Sequence, residues 1–142
     1  DFEGIARFAL VNGIELVVIG PEAPLAAGIT DYLQAQELTV FGPTKLGAQI
    51  EASKAWAKAL MEEAQIPTAQ SAVFTAAEPA LSYVRSQGAP IVVKADGLAA
   101  GKGVTVATTV AEAEAAIQAI FDGKFGTAGQ QVVIEEYLQG QE

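Results

Sequence analysis

Apolar positions along this chain fall into two alternating patterns, helical spacing and short continuous runs. Ile5, Phe8 and Ala9 recur at helical intervals within Phe2 to Asn12, and Gly13 closes that segment. Leu16-Val17-Val18-Ile19 is a continuous apolar run bounded by Gly13 and Gly20-Pro21, the pattern of a strand buried on both faces of a parallel sheet. Leu25, Ile29, Tyr32 and Leu33 return to helical spacing. Thr39-Val40-Phe41 predicts a second strand, closed by Gly42-Pro43, and a further helix begins near Thr44. Ser53 to Ala64 predicts another helix, with Trp56, Leu60 and Ala64 on one face, ended by Ile66-Pro67-Thr68. A domain boundary fits there, dividing the chain into residues 1–66 and 67–142.

The second part has a different texture. Ala72 to Phe74 predicts a strand. Thr75-Ala76-Ala77-Glu78 and Thr109-Val110-Ala111-Glu112 both have the spacing of a capping box, and each starts a predicted helix, Ala76 to Gln87 and Val110 to Phe121. Between these helices lie two strands, Ile91 to Ala95 and Val104 to Ala107, joined by a glycine-rich connection. A polar loop, Gly123 to Gly129, precedes a last strand, Val132 to Ile134. The fold class is therefore α/β: a piece of an open parallel sheet, then a smaller mixed region. The chain opens on a helix and stops just after a strand-like run, so it reads as an internal fragment.

Composition narrows the chemistry. The 142 residues include no cysteine and no histidine, which excludes a disulfide scaffold, a cysteine zinc site and any scheme needing an imidazole from this chain. Hydrophobic residues make up 51% and charged residues 18%, too apolar for a disordered chain. With 8 basic against 17 acidic residues, no broad basic surface for nucleic acid is expected. No apolar run approaches the ~18 residues of a membrane span. Without cysteines or targeting signals, the composition suggests a cytoplasmic protein.

Scarce positive charge is concentrated around Lys94-Ala95-Asp96-Gly97-Leu98-Ala99-Ala100-Gly101-Lys102-Gly103. Glycines permit positive φ and let backbone N–H groups approach an anion, and lysine supplies point charge for phosphate oxygens. Neither familiar phosphate loop fits. Gly97 to Gly101 is one residue short of the Walker spacing, Gly103 stands where Ser or Thr is required, and a strand follows where both motifs need a helix. The remaining readings are a strand–loop–strand flap over a triphosphate, or a mobile hairpin loop with solvated lysines. Lys94 sits in an apolar strand, where its amine must meet an anion or snorkel to solvent. Gly20-Pro21-Glu22 lies at the carboxyl end of a predicted strand, where ligands bind in open α/β sheets; Glu22 there serves either a ligand or the helix dipole. Glu135 and Glu136 are adjacent on an extended segment and point opposite ways, so they form no acid–base pair. That segment, through Tyr137 and Leu138, could pair with an adenine edge through its backbone, or form an acidic loop.

The segments GPEAPLAAGITD, FGPTKLGAQIEASKAWAK, IPTA, PIVVKADGLAAGKGV and VVIEEYLQGQE resemble the glycinamide ribonucleotide synthetase (phosphoribosylamine–glycine ligase) family over essentially the whole chain. The general layout, SK, IP, VK, glycine loop and EE, is shared with the wider ATP-grasp superfamily. The resemblance implies the end of an open parallel sheet preceding an ATP-grasp core, followed by its small α+β subdomain. It implies ATP and Mg2+ as cofactors, with glycine and 5-phosphoribosylamine as small-molecule substrates joined through a glycyl phosphate in purine biosynthesis. By motif, Lys54 and Lys94 would contact ATP phosphates. Gly97, Gly101, Lys102 and Gly103 would form the flap. Glu135, Glu136, Tyr137 and Leu138 would line the adenine, Glu142 would hold the ribose, and Gly20, Pro21 and Glu22 would face phosphoribosylamine. No catalytic residue is assigned. The family's magnesium ligands lie beyond Glu142, and Gln141 stands where an acidic residue is common, so the fragment alone is expected to be inactive. The alternatives are another ATP-grasp carboxylate–amine ligase or carboxylase, against which the GPEAPL and ADGLAAGKG segments argue, and a non-catalytic nucleotide-binding module.

Overall fold

In a computed structural model, residues 1–98 and 103–141 are described. The chain forms two compact units, Asp1–Ala52 and Ser53–Glu142. The division falls before the helix that the sequence pattern starts at Ser53, rather than after it at Ile66-Pro67.

The first unit begins with α1 (Phe2–Val11), where the Asp1 carboxylate accepts a hydrogen bond from the Gly4 N–H at 2.9 Å. Two parallel strands follow, β1 (Val17–Val18) and β2 (Val40–Phe41), with Val17 opposite Val40. Between them the predicted single helix is two. Gly28 adopts φ +94°, a left-handed conformation open to glycine, and separates α2 (Glu22–Ala27) from α3 (Ile29–Ala35). The helix expected near Thr44 is a series of turns leading into a short α4 (Gln49–Ala52). The core joins Ala6, Ala9, Ile29, Leu33 and Leu38, flanked by Phe2, Val17 and Tyr32. Two expectations change here. The buried stripe of α1 runs through Ala6 and Ala9, while Ile5 and Phe8 stay exposed. The first strand is not buried on both faces either. Val18 is 63% exposed, because the described sheet has two strands and, among the described residues, none covers its outer side.

The second unit starts with α5 (Lys54–Glu63), whose N-cap Ser53 accepts from Trp56 N–H. Then come β3 (Ser71–Phe74), α6 (Ala77–Gln87), β4 (Ile91–Ala95), β5 (Val104–Ala107), α7 (Val110–Ala119) and β6 (Val132–Glu136). The four strands form one antiparallel sheet in the order β3-β6-β4-β5. Helices α6 and α7 pack on one face, where Ile91, Val93, Ala95, Val132 and Ile134 meet Leu81, Val84, Ala113 and Ile117. An antiparallel sheet with helices on one side is the α+β arrangement expected of this region. The alternation along β4 leaves Val92 and Lys94 on the opposite face.

Only one of the two predicted capping boxes forms. Thr109 and Glu112 exchange both bonds at the start of α7. Helix α6 begins later than expected, with Ala76 as its N-cap and no side-chain cap, so Thr75 stands outside the helix. The loop expected after α7 holds a π turn (Ile120–Lys124) and a 3-10 turn (Gly126–Gln130).

Candidate functional site

The sheet face opposite α6 and α7 carries the chemistry of the second unit. Register places Lys94 opposite Val133 and Glu135 opposite Val92 on neighbouring central strands, so the two charged side chains stand diagonally on one face. The Lys94 ammonium donates to Glu135 Oε2 at 2.8 Å. The costly amine in an apolar strand therefore meets an anion, and that anion is a protein carboxylate.

Glu135 is only 6% exposed and serves two cations. Lys58, from the next turn of α5 after Lys54, places its Nζ 3.4 Å from the same Oε2 and donates to Thr68 Oγ1 at 2.8 Å and to the Ala69 carbonyl at 2.9 Å. Two ammoniums around one carboxylate leave one net positive charge at the site. A buried or half-buried cluster of that sign is suited to a further anion.

The start of α5 meets the end of β4. Lys54 Nζ donates to the Gly97 carbonyl at 2.9 Å, and Gly97 has φ +88°. The Asp96 carboxylate accepts from the Ala55 N–H at 3.1 Å and from the Ser53 hydroxyl at 3.1 and 3.3 Å. Gly103 is buried and its carbonyl accepts from the Ala95 N–H at 2.7 Å, closing the two strands on the far side of the glycine-rich connection. Among the described residues no carboxylate pairs with Lys54, whose charge rests on a neutral carbonyl.

The contacts thus form two clusters on the same helix and strand: Lys58 and Lys94 around Glu135, and Ser53, Lys54 and Ala55 against Asp96 and Gly97. Glu136 does not join them. Its side chain accepts from the Gln70 N–H at 2.8 Å, and its own N–H donates to the Gln70 carbonyl, fixing the entry to β3. Tyr137 and Leu138 follow the strand with exposed side chains. Gly101, Lys102 and Glu142 lie outside the described residues. In the first unit, Gly20, Pro21 and Glu22 are exposed, with Pro21 as the N-cap of α2 and Glu22 in its first turn.

Sequence reasoning missed Asp96 and Lys58. A signal for each was available. Asp96 is two residues beyond Lys94 and so shares its strand face, and Lys58 is four residues beyond Lys54 and so shares its helix face. Among the described residues no cluster of three acidic or other ligating side chains gathers that could hold a metal ion.

The same segments match known proteins. The chain is 71% identical over its full length to the phosphoribosylamine–glycine ligase of Nostoc sp., covering 33% of that protein, and 58% identical to that of Agrobacterium fabrum, covering 34%. It thus spans about a third of the length of the curated relatives it matches. Among solved structures, the phosphoribosylamine–glycine ligase of Thermotoga maritima aligns with 72% of this chain and 27% of its own, with a TM-score of 0.67 and 36% identity. The biotin carboxylase of Campylobacter jejuni, solved as a beta-gamma-ATP complex, aligns with 98% of this chain and 32% of its own at a TM-score of 0.80. Its 19% identity makes it a likeness of fold alone. Residues 1–51 match the N domain of phosphoribosylglycinamide synthetase and residues 52–142 its ATP-grasp (A) domain, and the chain belongs to that family.

Proposed function

We propose that the protein carrying this chain is an ATP-dependent ligase that joins glycine to 5-phosphoribosylamine, giving glycinamide ribonucleotide, ADP and phosphate. The glycine carboxylate accepts the terminal phosphoryl group of ATP, and the amine of phosphoribosylamine then displaces phosphate from the glycyl phosphate. This portion of the protein holds the nucleotide and does not complete the reaction alone. The observation that carries the reading is the placement of Lys94 on β4, bonded to Glu135, and of Lys54 at the start of α5, bonded to Gly97, beside the root of a glycine-rich connection in a chain of net charge −9. ATP supplies the activated phosphoryl group when bound.

The chain's own residues have separable tasks. Lys54 and Lys94 hold phosphate oxygens and offset their charge, which is the main requirement of phosphoryl transfer. Glu135 keeps the Lys94 ammonium oriented. The backbone of Glu135 to Leu138, with Glu136, lines the adenine, and Glu142 takes the ribose. Gly97, Gly101, Lys102 and Gly103 cover the phosphates, and Gly20, Pro21 and Glu22 face phosphoribosylamine. Magnesium, which the reaction would use, is assigned no residue of this chain. The cysteine-free composition suits a cytoplasmic location.

The test is ADP formation by the full-length protein. It should require both glycine and phosphoribosylamine, and Lys94→Ala should lower kcat/KM roughly 100-fold or more. ADP formation indifferent to either substrate sinks the assigned reaction, and unchanged kinetics in Lys94→Ala remove Lys94 from the site.

A further inference from the structure

We propose that Asp96 is a positioning residue, which fixes the start of helix α5 to the end of strand β4 and thereby sets where the Lys54 ammonium stands. The proposal rests on the reading that Lys54 holds an ATP phosphate. It assigns a role to a side chain that touches neither nucleotide nor substrate in that reading.

The geometry around Lys54 is specific. An α-helix leaves its first backbone N–H groups without intrahelical partners. In α5 these donors are divided between two acceptors. Trp56 N–H goes to the Ser53 hydroxyl at 3.1 Å, the ordinary N-cap bond. Ala55 N–H goes to the Asp96 carboxylate at 3.1 Å, from 41 residues further along the chain. The Ser53 hydroxyl, having accepted from Trp56, donates its own proton to the same carboxylate. Lys54 is therefore flanked on both sides by groups bonded to Asp96. Its ammonium then reaches the carbonyl of Gly97, the residue that follows Asp96.

At the other end, Asp96 is itself fixed. Its N–H donates to the Gln131 carbonyl at 3.0 Å, continuing the pairing of β4 with the approach to β6. The carboxylate thus connects α5 to the sheet two residues beyond Lys94. A lysine on a helix and a lysine on a strand can bind one polyphosphate together only if helix and strand keep a fixed separation.

Charge supports the same assignment. An unpartnered carboxylate at this position would repel a polyphosphate, and an apolar residue would leave the Ala55 N–H and Ser53 hydroxyl without their acceptor. Asp96 accepts from both and faces the positive end of the α5 dipole, which offsets its charge. Glycine cannot replace it, since it has no acceptor, and glutamate would place the acceptor one methylene further from the sheet.

The deciding experiment is a double-mutant cycle on the full-length protein, reading ATP affinity by isothermal titration calorimetry for wild type, Lys54→Ala, Asp96→Ala and the double variant. If Asp96 acts through Lys54, each single change weakens ATP binding about tenfold, and the double variant is within about twofold of Lys54→Ala. If the two losses multiply, to roughly 100-fold in the double variant, Asp96 acts independently of Lys54 and the inference is overturned. Wild-type affinity in Asp96→Ala overturns it too. Wild-type affinity in Lys54→Ala overturns both this inference and the assignment of Lys54 to the nucleotide, which separates the two failures. Should Asp96→Ala fail to fold, the cycle is run with Asp96→Leu, which keeps a branched side chain while removing the acceptor for Ala55 N–H and the Ser53 hydroxyl, under the same criterion.

Discussion

The two compact units treat similar apolar material differently. In Ser53–Glu142, a four-stranded sheet meets two helices, and Val84, Val93, Ala95, Ile117, Val132 and Ile134 are fully buried. In Asp1–Ala52, a two-stranded sheet supports a core of five buried residues, while Phe8, Val18 and Phe41 are 63%, 63% and 70% exposed. The local patterns are equally strong in both. Burial depends on whether a second layer covers the apolar side, and only the second unit supplies it within itself.

The comparison predicts its own largest contrast. Ile134→Ala or Ile117→Ala, at the centre of the covered core, should cost about 2–5 kcal/mol of stability through lost burial and the cavity left behind. Phe41→Ala, a larger truncation in the first unit, should change the stability of this chain by less than about 0.5 kcal/mol. Urea denaturation of each variant measures both. A Phe41→Ala loss as large as that of Ile134→Ala would break the comparison, since it would mean the exposed side of β2 is covered.

Much of this organisation was legible in the sequence, for reasons the contrast explains. Strands β3 to β6 and helices α5 to α7 follow their periodicities because burial on one face enforces the pattern. Ile91, Val93 and Ala95 alternate with Val92 and Lys94 as a half-covered strand should. Helix α1 misled for the converse reason: Ile5 and Phe8 are spaced like core residues but lie on a flank with no neighbour among the described residues. Gly28 was hidden inside a helical spacing that continues across it, because a single left-handed glycine preserves the apolar interval while breaking the helix. Thr75-x-x-Glu78 matched the spacing of a cap as well as Thr109-x-x-Glu112 did; what distinguished them was where each helix begins. The candidate site divides along the same line. Lys54, Lys94 and Gly97 could be singled out by residue type and by their neighbours in the chain. The pairing of β6 with β3 and β4 and the bond from Ser53 to Asp96 join segments roughly 40 to 60 residues apart, and nothing local encodes them.

Buried polar groups sharpen the comparison with a smaller effect. Glu135 in the second unit is bonded to two ammoniums. Thr30 in the first unit is fully buried, with no partner for its hydroxyl among the described residues. Removing charge from a paired group should cost stability, while removing an unpaired hydroxyl should not. Glu135→Gln should therefore destabilise by about 1.5–3 kcal/mol, the range for hydrogen bonds to charged groups. Thr30→Val should be neutral or stabilising, because the desolvation of the hydroxyl is not offset in the native state. The same denaturation series decides it. A destabilised Thr30→Val would show that the hydroxyl has a partner in solution and that the first unit satisfies its buried polar groups as fully as the second.

The smallest expected effect concerns helix caps and acid. Both units start a helix with a carboxylate, but differently. Asp1 accepts one bond, from Gly4, whereas the Glu112 carboxylate accepts from the Thr108 N–H and hydroxyl and from the Thr109 N–H. Those bonds, the Thr108 N–H first, hold the Glu112 carboxyl below the usual glutamate range. A carboxyl whose value is lowered in the folded state adds stability that is fully present above its unfolded value, about 4.3, and lost as pH falls through the folded value. Protonation also removes the second half of the α7 capping box, so the loss should be local to that helix. Amide hydrogen exchange in α7 should therefore accelerate in wild type as pH falls below about 4, beyond the intrinsic change in exchange rate. Glu112→Gln should show faster exchange already at neutral pH and a smaller acid dependence, while Glu78→Gln, at the start of the uncapped α6, should match wild type. Equal acid dependence in Glu112→Gln and wild type would mean that the box contributes nothing through its charge, and that the second unit's advantage over the first lies in its covered core alone.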